Sequence, residues 1–261
     1  MDAKQRLVSR VWRSDVYYQM AKKGSLDLDH PGMVILRELS QNSERILDLG
    51  CGEGSRLNAL IKGKSKGTGV DISKTAIDLA KKTYPKLNFV KSDLEKIPLN
   101  DKEFDLIYSA YVLEHLSNPV KVLSEAVRLL SKNGFMVLIA PNYGAPNRCS
   151  PPFKGSRVKK LIFGFLNDFL HFSDDIRNWN KVESLIDRYF IDSDTTIEPY
   201  IRSLMNFLIK KGFTIKTFTS CWSEELSNAK LHQVVFKFLG QLGLFPFSMW
   251  GPHLVVVAKR I

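Results

Sequence analysis

Between residues 48 and 54 the chain reads Asp48-Leu49-Gly50-Cys51-Gly52-Glu53-Gly54. Glycines at alternate positions let a backbone turn tightly and let a ligand lie against it with no Cβ atoms in the way. A helix starting just after them would aim its first amides at a carboxylate or phosphate. The spacing is Gly-x-Gly-x-Gly. A dinucleotide fingerprint needs its third glycine at position 55, where Ser55 stands, so nicotinamide chemistry is disfavoured. Asp71 lies 21 residues after Gly50, where a carboxylate can accept hydrogen bonds from ribose hydroxyls; capping the next helix is its other reading. Asp93, in Lys91-Ser92-Asp93-Leu94, can accept from an adenine amino group or close an Asx turn on its own backbone.

These residues need a scaffold that brings strand ends together, and a strand-helix alternation from Arg45 onward supplies one. The sequence predicts strands at Arg45–Leu49, Gly67–Val70, Leu87–Val90, Phe104–Ser109 and Phe135–Ala140. It predicts helices around 33–41 and 55–62, over Lys74–Tyr84, and from Pro119 to Leu130. Pro119 suits a first helical position, where its missing N–H costs nothing. After an irregular, aromatic and basic stretch, a helix is expected over Tyr200–Lys211, a sixth strand over Phe213–Ser220 and a last, antiparallel strand over His253–Lys259.

Four segments carry a family resemblance: Ile46 to Gly54, Gly69-Val70-Asp71-Ile72-Ser73, Ser92-Asp93-Leu94, and Val112-Leu113-Glu114-His115-Leu116-Ser117-Asn118-Pro119. In this order and spacing they resemble motifs of class I S-adenosylmethionine-dependent methyltransferases, in particular the small-molecule branch that includes quinone-biosynthesis enzymes. The resemblance implies a Rossmann-like α/β fold: a seven-stranded, mostly parallel sheet with an antiparallel last strand, and a cap made of insertions. It implies S-adenosyl-L-methionine as cofactor, S-adenosyl-L-homocysteine as product, and no metal. Asp48, Gly50, Cys51, Gly52 and Gly54 would hold the methionine part, and Asp71 with Ile72 the ribose. Asp93 with Leu94 would hold the adenine, and Ser109 with Ala110 would lie near the sulfonium. His115 matches the family's Glu-His pair and becomes the candidate general base, with a buried or capping histidine as the alternative.

The organisation expected is an N-terminal cap helix in 1–30, a cofactor-binding core in 31–142, a substrate-cap insertion in 143–199, and closing elements in 200–261 with a second insertion at 221–252. Ligands of open α/β sheets bind beyond the carboxyl ends of the strands, and the insertions leave from those ends. Tyr17, His30, Glu198 and Tyr200 are therefore the candidate substrate contacts. Read as a helix, 159–172 is mostly apolar, with a narrow polar stripe at Lys160, Gly164, Asn167 and His171. A cap helix buried against its neighbours is expected; a surface helix touching lipid is the alternative. The cap is also loosely similar to methyltransferases of microbial surface-polysaccharide pathways, which leans toward a glycan or glycolipid acceptor.

The net charge is +11, spread over both halves of the chain. It admits acidic partners, either nucleic acid or an anionic membrane surface. No Asn-Pro-Pro-Tyr or Pro-Cys catalytic motif and no recognisable RNA-binding module occur, so a small-molecule or glycan acceptor is favoured over RNA. Three dispersed cysteines, no apolar leader and no run of about 18 apolar residues lead to the expectation of a cytoplasmic protein, with peripheral membrane contact open.

Overall fold

The computed structural model describes residues 18, 27, 29–170, 175–185, 192–224 and 231–261. Helix α1 (Pro31–Ser40) starts on a proline, and His30 caps it by accepting the Gly32 N–H on Nδ1 at 3.1 Å. Strand β1 (Arg45–Leu49) is buried from Ile46 on, as a central strand must be. Then follow α2 (Ser55–Leu60), β2 (Lys66–Asp71), α3 (Lys74–Thr83), β3 (Asn88–Lys91), β4 (Phe104–Ala110), α4 (Pro119–Leu129) and β5 (Leu130–Pro141). Helix α5 (Arg157–Leu170) precedes a short ribbon, β6 (Asn180–Lys181) paired antiparallel with β7 (Ile197–Glu198). The rest is α6 (Ile201–Lys210), β8 (Phe213–Thr219), α7 (Leu231–Gln241) and β9 (His253–Arg260).

The main sheet has the order β3-β2-β1-β4-β5-β9-β8 and is mostly parallel, its last strand antiparallel, as expected from the sequence. Parallel registers set Leu49 beside Val70 and Ser109, and Val70 beside Val90. The chain order reverses between β1 and β4, the kind of switch point where open α/β sheets take their ligands.

The chain divides into two compact units. One holds residues up to Val112, Val120–Val137 and Lys259–Ile261; the other holds Leu113–Pro119 and Leu138–Ala258. In the first, Ile46, Leu47, Leu106, Ile107, Leu123 and Ala126 are wholly buried. Arg128 ties the loop before β4 to α4: its Nη atoms donate to the carbonyls of Ile97 and Leu99, both at 2.9 Å.

The second unit is organised around buried charge. Asp168 of α5 accepts from Tyr200 Oη and Trp250 Nε1, both at 2.8 Å, and pairs with Arg202 at 3.3 Å. One turn earlier Gly164 packs so closely that a Cβ there would stand 2.7 Å from Pro146. Another turn back, Lys160 Nζ meets Glu198 Oε2 at 2.6 Å. The polar and small positions 160, 164 and 168 thus form the inward face of α5. Its apolar side, including Ile162, Phe163 and Leu166, is exposed. This corrects the expectation that the apolar side would be buried: anchors inside the unit are ionic and polar, and they turn the helix the other way. Helix α7 lies in a stretch that reads as irregular. It packs through Gly240, where a Cβ would fall 2.0 Å from Trp222 Nε1, and through Phe236 against Phe247 and Trp250.

Candidate active site

The glycine turn is built where β1 ends. Gly50, Gly52 and Gly54 all adopt positive φ, at 78°, 53° and 84°. L-residues rarely take this conformation. The three differ in what surrounds them. A Cβ on Gly50 would strike Val112 at 2.4 Å, and one on Gly54 would strike Phe89 at 2.7 Å and Ala80 at 3.3 Å, so both serve packing. At Gly52 the nearest atoms are those of the Tyr18 ring, 3.9 Å away, which makes Gly52 the one that leaves room along the turn.

Asp71 holds that turn in shape. Its carboxylate accepts the Gly52 N–H at 2.9 Å and the Ser73 N–H at 2.8 Å. Ser73, not Asp71, caps α3, accepting from the Ala76 N–H. Burial pushes the Asp71 pKa up, and the N–H donors of Ser73, Gly52 and Ile72 oppose it. The Asp93 loop is brought alongside, because the Ser92 N–H donates to the Asp71 carbonyl at 3.0 Å. Asp93 itself is exposed and accepts from the Glu95 N–H at 2.9 Å, an Asx turn. Leu94 is buried and Ile72 half-buried. Ser109 and Ala110 lie at the end of β4, where Ser109 is paired in register with Leu49. The carboxyl ends of β1, β2, β3 and β4 therefore gather the glycine turn, Asp71, the Asp93 loop and Ser109–Ala110 into one cluster.

Several sequence expectations shift in detail. The first amide of α2 is already used: Glu53 accepts from both the N–H and the hydroxyl of Ser55. Asp48 is fully buried and accepts from Tyr108 Oη at 2.8 Å. Desolvation lifts its pKa to about 7 against the pull of Arg56 and Tyr108. Its Oδ1 has no hydrogen-bond partner among the described residues. The Cys51 side chain points into the core, packed where a Cβ on Gly69 would have to go. Sequence reasoning passed over three residues. Tyr18 is buried beside Gly52 and feels the Asp71 charge. Arg56 donates to the Ala110 carbonyl at 3.2 Å. Tyr111 has φ 60°, with its ring against Arg56 and His30. Only the positive φ of Tyr111, a bulky residue, has no sequence signal at all.

His115 belongs to the second unit. Its Nδ1 lies 3.4 Å from the Asp194 carbonyl and 3.6 Å from Asp194 Oδ2, and its Nε2 lies 3.7 Å from Glu114 Oε1. A carbonyl only accepts, so this contact puts a proton on Nδ1 and the lone pair on Nε2. Burial alone would lower the His115 pKa; the charges of Asp194, Glu114 and Asp192 outweigh it and raise the value above that of an ordinary imidazole. Glu114 is wholly buried, and desolvation lifts its pKa to about 8. Asp192 accepts from Tyr143 Oη.

Of the expected substrate contacts, His30 is buried as the α1 cap. Glu198 is wholly buried and accepts from Ser150, Lys160 and Asn180. Tyr200 is buried on Asp168. These partners give Glu198 and Tyr200 a packing role in place of the open position a substrate contact needs. Tyr17 lies outside the described residues. No group of three or more His, Cys, Asp or Glu side chains that could hold a metal occurs among the described residues.

A glycine turn braced by a carboxylate, at the switch point of a seven-stranded sheet in this order, defines the Rossmann-like methyltransferase class of fold. Comparison with known proteins agrees. Residues 47–138 match the family model of the methyltransferase domain. A Bacillus subtilis protein named "Putative 23S rRNA (guanine-N(1)-)-methyltransferase" is 37% identical over 101 residues, which are 37% of this chain and 33% of that one. A ubiquinone biosynthesis O-methyltransferase of Coxiella burnetii is 30% identical over 117 residues, 42% of this chain and 50% of that one. The crystal structure of an S-adenosylmethionine-dependent methyltransferase from Mesorhizobium loti aligns with TM-score 0.55 and 21% identity, covering 89% of this chain and all of that one. Residues 47–138 thus match a methyltransferase domain, and the fold is that of solved S-adenosylmethionine-dependent methyltransferases. The match spans about a third to a half of the length of the two curated relatives named.

Proposed function

We propose that this protein transfers a methyl group from S-adenosyl-L-methionine to a small-molecule or glycan acceptor, with a glycolipid included among the candidates. The observation that carries the reading is the Gly52 opening with its amide fixed by Asp71, next to the Asp93 loop and Ser109–Ala110. When bound, S-adenosyl-L-methionine supplies an already activated methyl group on a sulfonium. The chain's own task is then to bind, align and keep out water. Gly50 to Gly54 would hold the amino-acid end, Asp71 the ribose through its remaining acceptor capacity, and Asp93 with Leu94 the adenine. His115, with Asp194 at Nδ1 and Glu114 at Nε2, would serve as base for a hydroxyl or amine acceptor. Tyr18, packed over Gly52, would close one side of the cofactor cradle. The proposed setting is the cytoplasm; among the described residues no helix is long and apolar enough to cross a membrane.

The test is calorimetry with S-adenosyl-L-methionine and S-adenosyl-L-homocysteine, followed by a methyl-transfer screen over phenolic, quinone-precursor and glycan acceptors. Absence of binding to either nucleoside by the folded protein rejects the reading. A second reading, RNA methylation, is favoured by the charge of +11 and by the rRNA named for the Bacillus subtilis relative. It requires methyl incorporation into RNA that disappears on nuclease treatment.

A further inference from the structure

Helix α5 is amphipathic the wrong way round for a helix facing water. Its inward positions carry the Lys160–Glu198 pair and the Asp168–Arg202 pair, and its outward positions are aliphatic and aromatic. Phe163 is 67% exposed on α5, and on α7 Leu231 is 81% and Phe238 61% exposed. Fourteen of the eighteen exposed large apolar side chains among the described residues lie on α5, on α7 or on the loop at 242–245, so they are not scattered. The two helices share one patch. Phe169 of α5 touches Phe245 with ring centroids 5.4 Å apart, and Phe165 of α5 and Phe236 of α7 both lean on Trp250.

The two segments that carry this patch are cationic, although Lys154 at the edge pairs with the exposed Glu183 at 3.6 Å. Residues 154–170 and 231–251 contain one acid, Asp168, which is wholly buried, while Arg157 and Lys159 are exposed and Lys237 half-buried. A second copy of the chain would set such cations against their own kind with no acid to answer them. An anionic bilayer answers both features, since its acyl boundary accepts the side chains and its headgroups accept the cations.

We infer that α5 and α7 form a docking face that seats this protein on an anionic lipid surface. The face is independent of which acceptor is methylated, and its binding is read without any cofactor. The experiment is co-sedimentation of the full chain with vesicles of phosphatidylcholine, with and without phosphatidylglycerol, at low and high salt. Wild type should partition onto the anionic vesicles at low salt and lose most of that binding at high salt. Phe163→Glu combined with Phe238→Glu should cut partitioning at least tenfold with an unchanged melting temperature, both side chains facing outward. Lys159→Glu should cut it by about fivefold or more. Wild type that ignores anionic vesicles, or a folded Phe163→Glu/Phe238→Glu variant that binds them equally well, overturns the proposal. So does a stable lipid-free dimer that the same pair of substitutions makes monomeric, which would assign the face to a second copy.

Discussion

Three residues separate binding from folding. Gly52→Asn keeps a residue type that tolerates positive φ while filling the one open position of the turn. It should abolish measurable S-adenosyl-L-methionine binding by calorimetry with little change in melting temperature. Gly54→Ala does the opposite: it drives a Cβ into Phe89 and should cost about 1–3 kcal/mol of stability in chemical denaturation. Asp71→Ala removes a charged acceptor and frees the Gly52 amide, and should weaken cofactor binding by about 1–3 kcal/mol. His115→Ala should lower turnover about 100-fold or more with cofactor affinity unchanged, if Nε2 is the base. Because its acidic neighbours raise the His115 pKa, the neutral imidazole dominates only at higher pH than usual. The rate should therefore climb with pH through a point above the ordinary 6.5, and Asp194→Asn should move that point downward. An unchanged profile in Asp194→Asn would remove the dyad from the mechanism.

At the scale of elements, legibility followed the strength of local signals. Strand β1 was readable to the residue, because Ile46-Leu47-Asp48-Leu49 runs straight into the glycine turn. Strand β5 starts five residues earlier than its apolar run, at Leu130, and α4 ends just before it at Leu129; the Asn133-Gly134 pair falls inside the strand. Helix α7 was missed although Gln233, Lys237 and Gln241 recur at helical spacing, because Gly240 and Gly243 read as breaks. The orientation of α5 was not readable at all. It depends on Glu198, Arg202 and Trp250, which are distant in sequence, and they choose the polar stripe as the inner one. In the site, the glycine turn and the Asp71 and Asp93 loops were legible as positions because each follows a strand, whereas the saturation of Glu198 by Ser150, Lys160 and Asn180 was not. Asp168→Leu tests the α5 anchoring. It strands Arg202 and leaves Tyr200 and Trp250 without their acceptor, and should cost about 3–5 kcal/mol in urea denaturation.

For the whole molecule, two wholly buried carboxyls set the response to pH. Asp48 and Glu114 have folded pKa values raised to about 7 and about 8, from ordinary values of 3.8 and 4.5. The folded chain thus holds protons that the unfolded chain releases. Their contribution is fully present below about pH 4 and is lost as pH rises through 7 and 8. Melting temperature should therefore fall between pH 6 and pH 9, and Glu114→Gln, which cannot ionise, should flatten that slope. An equally steep decline in Glu114→Gln would mean that Glu114 is ionised in the folded chain. The inward ion pairs of α5 also have a consequence in time. The Asp168–Trp250 hydrogen bond spans 82 residues, and the Lys160–Glu198 bond spans 38. While the chain is being made, α5 leaves the ribosome long before the residues that turn it, with Lys160 and Asp168 still answered by water alone. Until Trp250 arrives, nothing distinguishes its two faces except solubility, and its apolar side is the adhesive one. The growing chain is then most in need of a chaperone between those two moments of synthesis, and a ribosome-bound fragment ending before Glu198 should be captured more strongly than one that has passed Trp250.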